Sequence, residues 1–174
     1  MARSVPERWT ELELVHRSDY IDVRATLRHG ELDGVRLPDG HRIHERGAPP
    51  SSWTLRPLEP YATNYQWSAM LDPYELTEGV AITHVRGEEL FGRPVVAFVA
   101  RAMPGYEPVC SCCPLVYSLV SQRLEHGDEW SPEPGELPDG VDLALDLGVG
   151  IVVSSRDRGG RLGSWFTNEI LRVS

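Results

Sequence analysis

Lysine is missing from this chain of 174 residues, whose 17 basic side chains are all arginine. Schiff-base catalysis, pyridoxal-phosphate anchoring and the phosphate-binding P-loop each need a lysine amine, so all three are excluded. Positive charge is scarce as well: 26 acidic residues outnumber the basic ones and leave a formal net charge of -9. With no arginine-rich run to offset that excess, nucleic acid is not expected as a partner. Long apolar runs are also lacking. The longest, Val95 to Ala100, falls far short of the roughly 20 residues a membrane-spanning helix requires. The amino terminus enters charged sequence without the apolar core of a signal peptide, so a cytoplasmic location with reduced thiols is expected. The motifs G-x-S-x-G, H-E-x-x-H and a helix-opening G-x-G-x-x-G do not occur, nor does an internal repeat. Cysteine is limited to three residues crowded at 110, 112 and 113, which cannot form a framework of distant staples.

What remains is an ordinary folding sequence, 41% hydrophobic and 25% charged. Its length suits one domain over residues 1–174, enough to bury about two-thirds of the surface exposed by the unfolded chain. Ile21, Val23, Ala25 and Leu27 alternate with polar residues, as a strand with one wet face requires, and Leu12 and Leu14 hint at a strand before it. Leu37-Pro-Asp-Gly40 reads as a turn and Ala48-Pro-Pro-Ser-Ser52 as a loop, after which Trp53 and Leu55 alternate once more. Further strands are expected over Val80–Val85, Arg93–Arg101, Val141–Leu145, Ile151–Arg156 and Arg161–Val173, with Gly87–Gly92 turning between the first two. Helical spacing appears twice. Tyr61, Tyr65, Ala69 and Met70 lead up to Asp72-Pro73, and Leu115, Val116, Leu119, Val120 and Leu124 form one stripe that predicts a helix over Pro114–Glu125. The fold class is α+β and mostly β: an antiparallel sheet with two or three short helices.

The succession Leu71-Asp-Pro73, Val80-Ala-Ile-Thr-His84, Phe91-Gly-Arg-Pro-Val-Val-Ala-Phe-Val-Ala-Arg101, Leu143-Ala-Leu-Asp-Leu-Gly-Val-Gly150 and Phe166-Thr-Asn-Glu-Ile170 resembles actinobacterial proteins of the LolA-like, lipoprotein-carrier-like fold. The likeness covers about the second half of the chain. It implies a strongly curved antiparallel sheet, a half-barrel wrapped around the helices with an apolar interior. Relatives carry lipoprotein acyl chains or sense misfolded lipoproteins outside the cytoplasm. By that resemblance the chain is a non-enzymatic binding module whose apolar cleft takes a lipid-like small molecule, a peptide or a segment of a partner protein. Trp67 from the helical segment, with Phe98 and Val152 from the strands, would border that cleft, although large rings serve equally well as core.

The cysteine cluster lies outside that pattern and supports a second, different reading. Thiolates at i, i+2 and i+3 in Cys110-Ser-Cys112-Cys113 can aim several sulfurs at zinc or copper(I), with His41, His44 or His126 completing the set. No other cofactor is expected. Were Pro114 the first helical residue, Cys113 would sit at the N-cap, where unpaired amides favour a thiolate and create a nucleophile. Cys110 and Cys113 also have the two-residue gap of a redox pair, but no βαβ pattern surrounds them. Simple packing as small hydrophobes is the remaining alternative. His16 and His84 lie on or beside strands with no partner visible in the sequence.

Overall fold

Leu12, Leu14 and His16 are buried while their neighbours are half-exposed, the alternation that makes Glu11–Arg17 strand β1. A computed structural model describes residues 9–19, 22–28, 31–36, 65–108 and 110–174. Beyond β1 these form β2 (Asp22–Arg28), β3 (Glu31–Arg36), β4 (Val80–Leu90), β5 (Arg93–Ala102), β6 (Val141–Asp146), β7 (Ile151–Asp157) and β8 (Trp165–Val173). Helices α1 (Tyr65–Leu71) and α2 (Leu119–His126) and a 3-10 turn at Tyr74–Leu76 complete the described elements. The strands make one antiparallel sheet in the order β3-β2-β1-β8-β7-β6-β5-β4, so the mostly-β, antiparallel expectation is met. The expected turn at 37–40, the loop at 48–52, the alternation at Trp53 and Leu55 and the first residues of the helix from Tyr61 lie outside the described residues, as do His41 and His44.

Two local meanders, β1–β3 and β4–β8, meet where β1 pairs with β8. At that line Ser174 donates its backbone N–H to Glu11 and accepts from Thr10, at 2.9 and 2.6 Å. The residues 97–100 of β5 are all buried, so both faces of this strand are covered, which is why its sequence is a continuous apolar run. Four strand pairs carry register shifts, β1/β8, β2/β3, β4/β5 and β6/β7. The β4/β5 shift holds His84 in the left-handed region, at φ 54°. β4 runs on to Leu90 instead of stopping at Val85. The two-residue turn Phe91-Gly92, with both φ values positive, joins it to β5 in place of the longer loop that the glycines suggest. β8 begins at Trp165, not Arg161, because Asp157 and Ser164 bond each other and divert 158–163 into a loop.

The apolar residues gather in two clusters. Leu12, Leu14, Trp67, Val95, Ala97 and Ile151 belong to the first; Met70, Phe98, Tyr106, Leu115, Leu143 and Val152 belong to the second. His16 lies at their junction, its ring stacked on Trp67 of one cluster at 4.6 Å between centroids and on Phe166 of the other at 5.8 Å. Asn168 supplies the polar contacts. Its Oδ1 accepts from His16 Nδ1 at 2.9 Å and from Trp67 Nε1 at 3.0 Å, and its Nδ2 donates to the Val152 carbonyl at 2.8 Å. A carbonyl oxygen cannot donate, so Nδ1 of His16 carries the proton. Far from being without partners, His16 is part of a buried polar knot.

Burial lowers the His16 pKa from its ordinary 6.5 to about 4, against the smaller raising effects of its bonds to Asn168 and the Thr167 backbone. Above pH 6.5 the ring is neutral in the folded and unfolded chains alike. As pH falls from 6.5 to 4 only the unfolded chain takes up the proton, so stability drops by about 1.4 kcal/mol per pH unit, on the order of 3 kcal/mol in all. Urea midpoints taken across that window should therefore fall, and His16→Phe should flatten the decline relative to wild type. An equal slope in the variant would show that other groups govern it. Asn168→Leu takes one hydrogen bond each from two buried donors and one carbonyl and should cost about 3 kcal/mol or more at pH 7, measured by urea unfolding.

Candidate functional site

The segment 103–118 follows β5 and carries all three cysteines. Its apolar stripe predicts a helix from Pro114, but α2 starts only at Leu119, capped by Ser118, whose Oγ accepts from the Ser121 N–H at 3.3 Å. Ser121 returns the bond, its Oγ accepting from the Ser118 N–H at 3.1 Å. Cys113 therefore is not an N-cap residue and gains no helix-terminal stabilisation of its thiolate. The cause lies in two buried polar side chains that capture the backbone first. Glu75 Oε2 accepts the Leu115 N–H at 3.0 Å, and the Tyr106 Oη accepts the Val116 N–H at 3.0 Å. Tyr106 also donates to Glu75 Oε2 at 2.5 Å. Leu115 and Val116 enter the core held by this clamp while Leu124, placed on the same stripe by the sequence, is exposed.

The clamp is buried: Glu75 and Tyr106 are 2% and 1% exposed. Burial first, and then the Glu75 carboxylate, push the Tyr106 hydroxyl far above its usual range, so it stays protonated as the donor between carboxylate and backbone. Gly79 makes the approach feasible, since a Cβ there would lie 2.3 Å from the Tyr106 nitrogen. Neither Glu75 nor Tyr106 stands out in the sequence. The only hint is a carboxylate between two apolar neighbours just after Asp72-Pro73, a pattern shared by many surface turns.

Beyond the clamp the chain turns outward. Cys112 is exposed, while Cys110 and Cys113 are half-buried. The Cys110 and Cys112 sulfurs lie 3.0 Å apart, and Cys112 donates to Cys113 at 3.6 Å. Ser111, between the first two, donates to the Glu125 carboxylate on α2. The middle of the cysteine loop is thus tied to the helix, and its carboxyl end, at Leu115 and Val116, to the core. The Cys112 thiol is pushed up to about 12, chiefly by its hydrogen bond with Cys110, then by burial and by Cys113.

Of the expected histidine ligands, His41 and His44 lie outside the described residues and only His126 can be placed. The His126 ring stacks on Trp130 with centroids 5.9 Å apart, and among the described residues no group of three or more His, Cys, Asp or Glu side chains is arranged to hold a metal ion. Of the residues expected to border a cleft, Trp67, Phe98 and Val152 are 1%, 5% and 0% exposed, each packed within the clusters described above. His84 is exposed at its bulge, bonded only locally to Thr83. No helix among the described residues is long and apolar enough to cross a membrane. No family model matches the chain, and neither a curated relative nor a solved structure matches it.

Tyr106→Phe removes the donor to Glu75 and the acceptor for Val116 together. It should lower stability by about 2 kcal/mol. Hydrogen exchange of the 115 and 116 amides should accelerate more than that of β5 or β7. Uniform acceleration across the sheet would mean that the clamp does not hold the loop locally.

Proposed function

We propose that this protein is cysteine-dependent and that Cys110, Cys112 and Cys113 work together as one soft, nucleophilic site. The carrying observation is the convergence of the three sulfurs, at 3.0 and 3.6 Å, on a solvent-facing loop tied to α2 through Ser111 and to the core through Leu115. Buried thiols that merely fill space have no need of solvent access, and mobile surface thiols would not be held together. Holding the sulfurs close lets a reagent attached to one be passed to or shared with the next without diffusion, which is the advantage of proximity. The partners implied are thiophilic: a disulfide, a soft ion such as copper(I) or zinc, or another soft electrophile. The clamp made by Glu75 and Tyr106 serves as a positioning device and does not itself touch a ligand.

A separate observation favours a second reading, the apolar binding module of LolA-like shape. Register shifts in four strand pairs add twist and bend, the means by which an open sheet curls toward a half-barrel, and α1 packs against β7. In this reading a lipid-like molecule or an apolar peptide would enter by parting α1 from the sheet around Trp67, Phe98 and Val152. Saturable uptake of a fluorescent fatty acid that weakens in Trp67→Ala would support it, and no uptake at micromolar dye would remove it.

For the cysteine site the decisive probe is phenylarsine oxide, which needs two sulfurs held close together. The folded wild type should take up one equivalent, measured by intact-protein mass spectrometry. The variant with all three cysteines changed to serine should take up none while keeping its circular dichroism. A folded wild type that captures no arsenical would overturn the reading.

A further inference from the structure

The three sulfurs are not equivalent, and their inequivalence assigns a specific chemistry. Resting on the thiol reading above, we propose that Cys110 and Cys112 are a dithiol that closes into a reversible disulfide within the loop by exchange with a low-molecular-weight disulfide, Cys113 remaining reduced.

The closest pair is Cys110 and Cys112, at 3.0 Å, so rotation about their side chains has only about 1 Å to close before reaching the 2.05 Å of a disulfide. Ser111, the residue between them, is tied to Glu125, which holds the intervening turn in one arrangement and reduces the ordering needed to bring the sulfurs together. The competing pair, Cys112 and Cys113, is farther apart at 3.6 Å. Joining adjacent residues also closes a small ring around a peptide bond that prefers to stay planar and trans. Cys113 is restrained further from the other side. It precedes Pro114, which limits its backbone to extended conformations, and Leu115 and Val116 beyond it are held by Glu75 and Tyr106. Closure is therefore easiest on the amino-terminal side of the loop, where neither a proline nor a buried clamp follows directly.

The exchange balances without another reactant. The Cys110 thiolate attacks one sulfur of the small disulfide, whose S–S bond breaks, and one small thiolate departs and is protonated. The mixed disulfide on Cys110 no longer presses on Cys112, the neighbour whose hydrogen bond is the main cause of its high pKa. Cys112 can then lose its proton and attack the Cys110 sulfur, expelling the second small thiolate, which takes up that proton. Two protein S–H bonds have become one S–S bond, two electrons have passed to the small disulfide, and two small thiols are released. Excess small thiol drives the same steps backward.

The experiment uses the full chain in buffers of graded oxidised-to-reduced glutathione, quenched in acid, alkylated and mapped by peptide mass spectrometry. As the oxidised fraction rises, two thiols should be lost together, a Cys110–Cys112 link should appear, and reduced glutathione should restore both. Cys113→Ser should leave the transition in place, and Cys112→Ser should stop at a glutathione adduct on Cys110. Circular dichroism of each variant guards against loss of the fold. A Cys112–Cys113 link, a link between chains, or a transition lost in Cys113→Ser would overturn the proposal. If the wild type captures the arsenical but never forms the Cys110–Cys112 link, this proposal fails and the thiol reading stands; if it does neither, both fail.

Discussion

The amide of Asn168 is the contact on which the two halves of the sheet and the first helix depend. It sits on β8, takes hydrogen bonds from β1 through His16 and from α1 through Trp67, and gives one to the backbone of β7. An apolar side chain of the same size would fill the space but would cost an imidazole N–H, an indole N–H and a carbonyl one hydrogen bond each in a dry interior, where each loss is expensive. Three elements that could otherwise slide past one another are held at one register. The stacking of His16 between Trp67 and Phe166 then lets a polar ring behave as part of the core, at the cost of keeping it neutral.

The same economy recurs at the carboxyl end of β5. Glu75 and Tyr106 use one carboxylate and one phenol to satisfy two backbone amides that a helix would have left for water or a cap. The chain is bent and non-helical through Leu115 and Val116, and α2 is displaced to Leu119. Because the anchored residues follow Cys113 almost immediately, a buried network that contacts no ligand sets the arrangement of three exposed or half-exposed sulfurs. The helix answers from the other side through Glu125 and Ser111.

Much of the sheet was legible in the sequence, because the spacing of Leu12 and Leu14, the alternation from Ile21 to Leu27, the continuous run through β5, and the glycine turns are local signals. Boundaries were less so: β4 continues beyond Val85 because pairing with β5 overrides the polar composition of Arg86 to Glu89. The helix predicted from Pro114 failed because Leu115 and Val116 are buried for a reason that periodicity does not see, namely two side chains from distant positions that capture their amides. His16 looked solitary because its partner is 152 residues away. The cysteine cluster itself was visible, but its spacing could not distinguish a metal site from a dithiol. Sulfur distances and the stacking of His126 on Trp130 come only from the fold, and His41 and His44 lie outside the described residues.

The pairing of β1 with β8 carries a consequence for the order of assembly. Each meander pairs strands that neighbour one another in sequence, with only the β5–β6 connection, which carries the cysteines and α2, running long. The seam between them joins residues 150 or more positions apart, and the knot at Asn168 lies on it. During synthesis β1 to β3 emerge long before the strand that shelters them exists, so Leu12 and Leu14 wait with their apolar face uncovered. The charged residues that alternate with these leucines, Glu11 and Glu13, are of the kind that disfavours pairing of an exposed strand with copies of itself before β8 arrives.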